Sequence, residues 1–209
     1  MLAFTACSDT EEVKFEKTKK RAEAGDAKVQ TGLGMMYSTG WGVPQDYAEA
    51  MKWFRKAAEQ GYASAQTSLG FMYALGDGVP VNDVEAVKWF RKAADQGYDS
   101  GQLALGNHYA KGSGVPQDYA EAMRLYRKAA DQGNAKAQGT LGLMYFNGDG
   151  VTKDWVEACA WFNIAAVSMK EAQEMRDGLS LTPEEKAQAQ KRSTELFKEI
   201  EARKKAAGK

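Results

Sequence analysis

The chain holds one histidine, His108, and two cysteines, Cys7 and Cys159, in 209 residues. That set cannot complete a four-ligand zinc site, and a framework of several disulfides is out of reach. Neither sign of charge dominates. Twenty-eight Lys plus Arg face 28 Asp plus Glu, so the basic excess that draws proteins to phosphate backbones is missing and no nucleic-acid partner is expected. Four prolines are too few for a proline-rich disordered chain, and a mean hydropathy of -0.55 argues against a membrane-spanning segment. Glycine is plentiful, 21 residues beside 44% hydrophobic ones, which fits helices punctuated by glycine.

Those glycines are periodic. At a shift of 36 the segments starting at Gly25, Gly61, Gly97 and Gly133 restate one pattern. A Leu-Gly pair recurs at Leu33-Gly34, Leu69-Gly70, Leu105-Gly106 and Leu141-Gly142, followed by Tyr37, Tyr73, Tyr109 and Tyr145. Glycine doublets come next (Gly40/Gly42, Gly76/Gly78, Gly112/Gly114, Gly148/Gly150), then a valine and, in three copies, Pro44, Pro80 and Pro116, with Thr152 in the fourth. An apolar block such as Ala50, Trp53, Phe54, Ala57 and Ala58 closes each unit.

Each unit reads as two helices. Ala27, Gln30, Leu33, Gly34 and Tyr37 fall three and four apart, on one helical face. Gly40 and its counterparts suit the left-handed position just past a helix. Asp46 three residues before Glu49, with Asn82/Glu85, Asp118/Glu121 and Asp154/Glu157, reads as a capping box that opens the second helix. One such unit cannot bury both apolar faces alone, so neighbours must stack.

The recurring order A-x-x-Q-x-x-L-G-x-x-Y-x-x-G-x-G-V-P, then D-x-x-x-A-x-x-W-F-x-x-A-A-x-x-G, resembles the Sel1-like repeat family, relatives of the tetratricopeptide repeats, in its bacterial form. The predicted fold is an all-α, right-handed superhelical α-solenoid with four units at 25–60, 61–96, 97–132 and 133–168. The third copy departs most, with Leu125 at the tryptophan position and His108 at a methionine position. Residues 12–24, with Phe15 and Ala22, are expected to form an N-terminal capping helix, and 169–209 C-terminal capping helices. There Thr182-Pro183-Glu184-Glu185 is a helix start, and Leu196, Phe197 and Ile200 are expected to cover the last unit. Residues 1–11 read either as the tail of a bacterial lipoprotein signal, with Cys7 the lipidated residue, or as an unstructured start in which Cys7 is an ordinary thiol. The first reading places the protein in the periplasm or envelope and the second in the cytoplasm.

No constellation for catalysis stands out. The glycine doublets lack a preceding strand and a G-x-x-x-x-G-K-S/T pattern. Asp77 and Asp149 lack the ligand run of a calcium loop. His108 near Ser113 and Asp118 lacks a nucleophile motif. No catalytic residue, metal or cofactor is therefore expected.

First-helix positions that change from unit to unit while packing positions stay fixed are the candidates for binding: Thr31, Met35 and Ser38; Thr67, Phe71, Ala74 and Leu75; Leu103, Asn107 and Lys111; Gly139, Leu143, Phe146 and Asn147. The resemblance implies that first helices line a concave groove. Met35, Phe71 and Leu143 alternatively pack between adjacent first helices. The expected function is a non-enzymatic scaffold that holds a protein or peptide segment, with oligomeric state left open. An envelope enzyme or binder of β-lactam or cell-wall-type ligands is the alternative that disulfide-rich relatives imply, but that branch depends on paired cysteines.

Overall fold

The computed structural model describes residues 11–206 and 208, and Cys7 lies outside them. Among the described residues there are eleven helices and no strand. They fall into two compact units that divide after Gln96. The first contains α1 (Glu11–Glu23), α2 (Ala27–Thr39), α3 (Tyr47–Glu59), α4 (Ala63–Leu75) and α5 (Asp83–Asp95). The second contains α6 (Asp99–Lys111), α7 (Tyr119–Asp131), α8 (Ala135–Asn147), α9 (Trp155–Ala165), α10 (Lys170–Asp177) and α11 (Pro183–Ala206).

The repeat glycines explain how each pair closes. Gly40, Gly76, Gly112 and Gly148 take left-handed backbone conformations, and each donates its N–H to the carbonyl four residues back. The glycine of each Leu-Gly pair serves close approach instead. A Cβ on Gly34 would stand 2.7 Å from the Phe54 ring, and one on Gly106 or Gly142 2.6 Å from Tyr126 or Phe162; Gly70 bears the same relation to Phe90. First and second helices therefore meet ring against backbone, a contact that an alanine would push apart.

Second helices begin with half of the expected box. Asp46, Asn82, Asp118 and Asp154 accept from the backbone N–H of Glu49, Glu85, Glu121 and Glu157. The return bond from the glutamate is replaced: the N–H of each cap residue donates to the carbonyl of the repeat tyrosine, Tyr37, Tyr73, Tyr109 or Tyr145. Glu49, Glu85 and Glu121 turn instead to Lys52, Lys88 and Arg124 one turn on. Among the described residues the reciprocal box forms at the start of α11, where the Thr182 N–H donates to Glu185 at 2.7 Å and the Glu185 N–H donates to Thr182 Oγ1 at 3.2 Å.

Buried glutamines tie successive helix pairs together within each unit. In the first, Gln30 donates to the Ala22 carbonyl (3.1 Å) and accepts from Gln60 (2.7 Å), and Gln66 repeats this with Ala58 and Gln96. In the second, Gln132 donates to Gln102 and Gln138 to the Ala130 carbonyl. The amides of Gln30, Gln66 and Gln138 thus add a second donor to helix-end carbonyls that already accept the backbone N–H of Gly25, Gly61 and Gly133.

Cores follow the repeat. In the first unit Phe15 and Ala22 of α1 pack with Leu33, Met36 and Trp53, and Phe54, Leu69 and Met72 continue the interior. In the second, Tyr126, Leu141 and Trp161 pack with Leu196 and Ile200 of α11. Burying each such side chain contributes about 1.5–3 kcal/mol against ordering entropy. Phe197 differs from the expectation: Leu196 and Ile200, four apart, face inward, and the intervening Phe197 is 57% exposed. An ion-pair network also fixes α11. Arg192 reaches Glu157 on α9 at 2.8 Å and Glu199 at 3.0 Å, and Arg203 reaches Asp131 on α7 at 2.8 Å.

Candidate partner-binding surface

Along each first helix the variable positions turn from inside to outside. Thr31 and Thr67 lie in the N-terminal half and are buried, each hydroxyl donating to the carbonyl four residues back, Ala27 or Ala63. Leu103, at the same repeat position, is half-buried against the core of the second unit. Gly139 completes the set and is covered: a Cβ there would sit 3.4 Å from Met169. A partner would meet none of this first row freely, because one face of a 3.6-residue helix at these positions already contacts protein.

One turn on, the side chains emerge. In the first unit Met35 (54%), Phe71 (46%) and Leu75 (67%) are exposed, and Ser38 is half-buried, its hydroxyl donating to the Met35 carbonyl. In the second unit Asn107, Lys111, Leu143, Phe146 and Asn147 are exposed. Met35, Phe71 and Leu143 therefore keep substantial accessible surface even where one edge of the side chain packs. The Phe71 ring meets the buried Phe90 edge-on with centroids 5.0 Å apart, which fixes its orientation without covering it. Asn107 is fixed differently, because its side-chain oxygen accepts from the Tyr126 hydroxyl at 2.8 Å. Burial pushes the Tyr126 hydroxyl well above the ordinary tyrosine range, so it stays a protonated donor. Asn147 donates to Asp149 at 3.1 Å.

Other features singled out in the sequence have local partners. His108 Nδ1 and the Ser113 carbonyl lie 3.0 Å apart, joining a helix end to its loop, while Asp118 caps α7. Asp77 and Asp149 donate their N–H groups to the Met72 and Met144 carbonyls in the turn. Among the described residues no three His, Cys, Asp or Glu side chains gather as they would to hold a metal ion, and no helix is long and apolar enough to cross a membrane.

Exposed apolar side chains also occur where variability in first helices gives no pointer. Trp41 stands in the first glycine loop, its indole N–H donating to Glu11 at 3.0 Å. Val81, Val84 and Trp155 are exposed around the starts of second helices. A signal for Trp41 and Trp155 was available: their counterparts Asp77 and Ser113, or Tyr47 and Asp83, differ from them in every copy.

The Sel1 repeat model matches residues 27–62, 63–98, 99–134 and 135–166. No curated protein matches the chain. Among solved structures, c5321, described as a protective antigen present in uropathogenic Escherichia coli strains displaying an SLR fold, is similar with TM-score 0.72 and 39% identity over 87% of this chain. The chain spans 41% of that protein's length. A Sel1 repeat protein from Oxalobacter formigenes is similar with TM-score 0.71 and 31% identity, covering 87% of this chain and 84% of that one. Cysteine rich protein B from Helicobacter pylori, at 20% identity and TM-score 0.54 over 63% of this chain and 98% of that one, shares the fold.

Proposed function

The chain belongs to the Sel1 repeat family, whose members are generally protein-interaction modules, and from that premise we propose that it is a non-enzymatic scaffold holding a peptide or protein segment on the exposed parts of its first helices. One observation carries the reading. Repeat positions that leave the core intact when they vary are also where large apolar side chains stand open, Met35, Phe71 and Leu75 in one unit and Leu143 and Phe146 in the other. Side chains of this kind favour an apolar or amphipathic segment, and Asn107, Lys111 and Asn147 supply polar contacts that would orient it. Thr31, Thr67 and Leu103 serve as the packed base of the same helices. Because the binding side chains of each unit stand on packed helices, little ordering entropy is lost by this chain on binding.

The test is capture from native extract with the wild-type chain and with Phe71→Glu and Phe146→Glu variants, bound proteins being compared by mass spectrometry. A protein held by the wild type and lost from either variant, at unchanged helical content, supports the reading. Retention of the same proteins by both variants overturns it.

A further inference from the structure

The turn region after the last repeat encloses space that the interaction surface does not use. Between α9, α10 and α11 lies a cavity of about 420 Å³, and beside it a second of about 330 Å³ that shares Asn163, Arg176 and Gln190 with the first. Because three side chains line both, the two are adjacent and can be filled by one extended ligand as the ends of a trough, each of the size small-molecule sites have. The ends differ in chemistry. Arg176 and Lys186 stand at the first against one carboxylate, Asp177, so it carries a net positive charge. The second is walled by Ile164, by Val167, 88% exposed, and by Phe197, 57% exposed. The exposure of Phe197, a departure from its expected place in the core, thus has a counterpart here. It forms the apolar wall of a trough whose other end is cationic.

We propose that this trough binds an acyl carboxylate, a fatty-acid-like monoanion, with its head between Arg176 and Lys186 and its chain along Ile164, Val167 and Phe197. The side-chain amides of Asn163 and Gln190 stand where head and chain meet and can donate to the carboxylate. Arg176 already pairs with Asp177, Nε to Oδ1 at 2.8 Å, but that pair is between neighbours and open to water, so an incoming carboxylate can share or displace it. The hydroxyls at the second end, Ser193 and Thr194, both donate to the Gln190 carbonyl, at 2.9 and 3.0 Å.

Cys159 gives a readout inside the site. Its thiol lines the cationic cavity, is buried, and is pushed above its ordinary pKa by that burial, so it alkylates slowly. The experiment follows N-ethylmaleimide modification of the Cys159-containing peptide by mass spectrometry in the full chain, with calorimetry in parallel, using submicellar dodecanoate, dodecanol and acetate. Dodecanoate is expected to give saturable heat and to protect Cys159, and acetate and dodecanol to bind at least about tenfold more weakly. Arg176→Gln combined with Lys186→Gln should weaken dodecanoate by about tenfold or more, and Asp177→Asn should strengthen it. Protection is taken as the ratio of rates with and without ligand in each variant, because these charges also act on the thiol. Circular dichroism checks that the solvent-facing substitutions leave the helices intact. Absence of saturable heat and protection, equal binding of dodecanol, or unchanged affinity in the double variant would overturn the proposal.

Discussion

Phe71 and Phe90 in the second repeat, and Asn107 and Tyr126 in the third, occupy the same two positions 36 residues apart, yet they are held by different forces. In the second repeat a buried ring meets a half-exposed ring edge-on at 5.0 Å. In the third the buried ring carries a hydroxyl, and the exposed partner is an amide that accepts from it at 2.8 Å. Gly70 and Gly106 set both rings against the first helix in the same way. The buried position is therefore constrained by the fold, and its one chemical choice, hydroxyl or none, dictates what the neighbouring exposed position presents. Here the core writes part of the surface: Phe90 permits an apolar contact, whereas Tyr126 calls for a polar one. The third repeat, with Asn107 and Lys111 in place of Phe71 and Leu75, is polar where the second is apolar.

Removing the buried rings should have the largest effect. Phe90→Ala and Tyr126→Ala should each cost about 3–5 kcal/mol in urea unfolding, and a much smaller loss in either would show that the two positions are not equivalent frames. A sharper test exchanges the pairs. Phe90→Tyr alone buries an unpartnered hydroxyl and should cost about 1–3 kcal/mol. Adding Phe71→Asn should recover a coupling energy of about 1 kcal/mol, and a purely additive double variant would contradict the pairing. The smallest effect concerns two glutamates of the second unit. Hydrogen bonds from Arg124 and Arg192 hold the carboxyls of Glu121 and Glu199 below the usual glutamate range. Groups depressed in the folded state stabilise it above their ordinary pKa, and that contribution disappears as pH falls through the depressed value. Glu199→Gln should therefore cost about 0.2–1 kcal/mol at pH 7 and make thermal midpoints less sensitive to acidification below pH 4. An acid limb identical to wild type would rule this pair out as a source of acid sensitivity.

Helix pairs and their stops were legible in the sequence because the repeat shows each rule four times over: the left-handed glycine, the Asp or Asn cap and the apolar block coincide at one period. The cap was only half legible. That Asp46 N–H donates to the Tyr37 carbonyl depends on how the loop folds back, which spacing does not encode. Variation among units found the first helices but did not separate inward from outward positions: the position of the buried Thr31 and Thr67 changes to Leu103 and Gly139 in later units, and that of the exposed Met35 and Phe71 changes as well. In the C-terminal helix an i, i+4 pair, Leu196 and Ile200, used the inward face and left Phe197 outside. The trough around Arg176 and Lys186 could not be read at all. Its walls come from three helices, two of them outside the repeats, and no period aligns them.

Phe71 and Phe146 are proposed to bind a partner rather than hold the fold. That role is tested most directly by measuring, for a protein captured by the wild type, its affinity for wild type, Phe71→Glu and Phe146→Glu by calorimetry, with the thermal midpoint of each variant recorded beside it. Affinity should fall by about 30-fold or more, from about 2 kcal/mol or more per anchor, with midpoints within about 2–4 °C of wild type, as expected for about 1 kcal/mol. Unchanged affinity in both variants, or variants that unfold instead of merely failing to bind, would contradict that role.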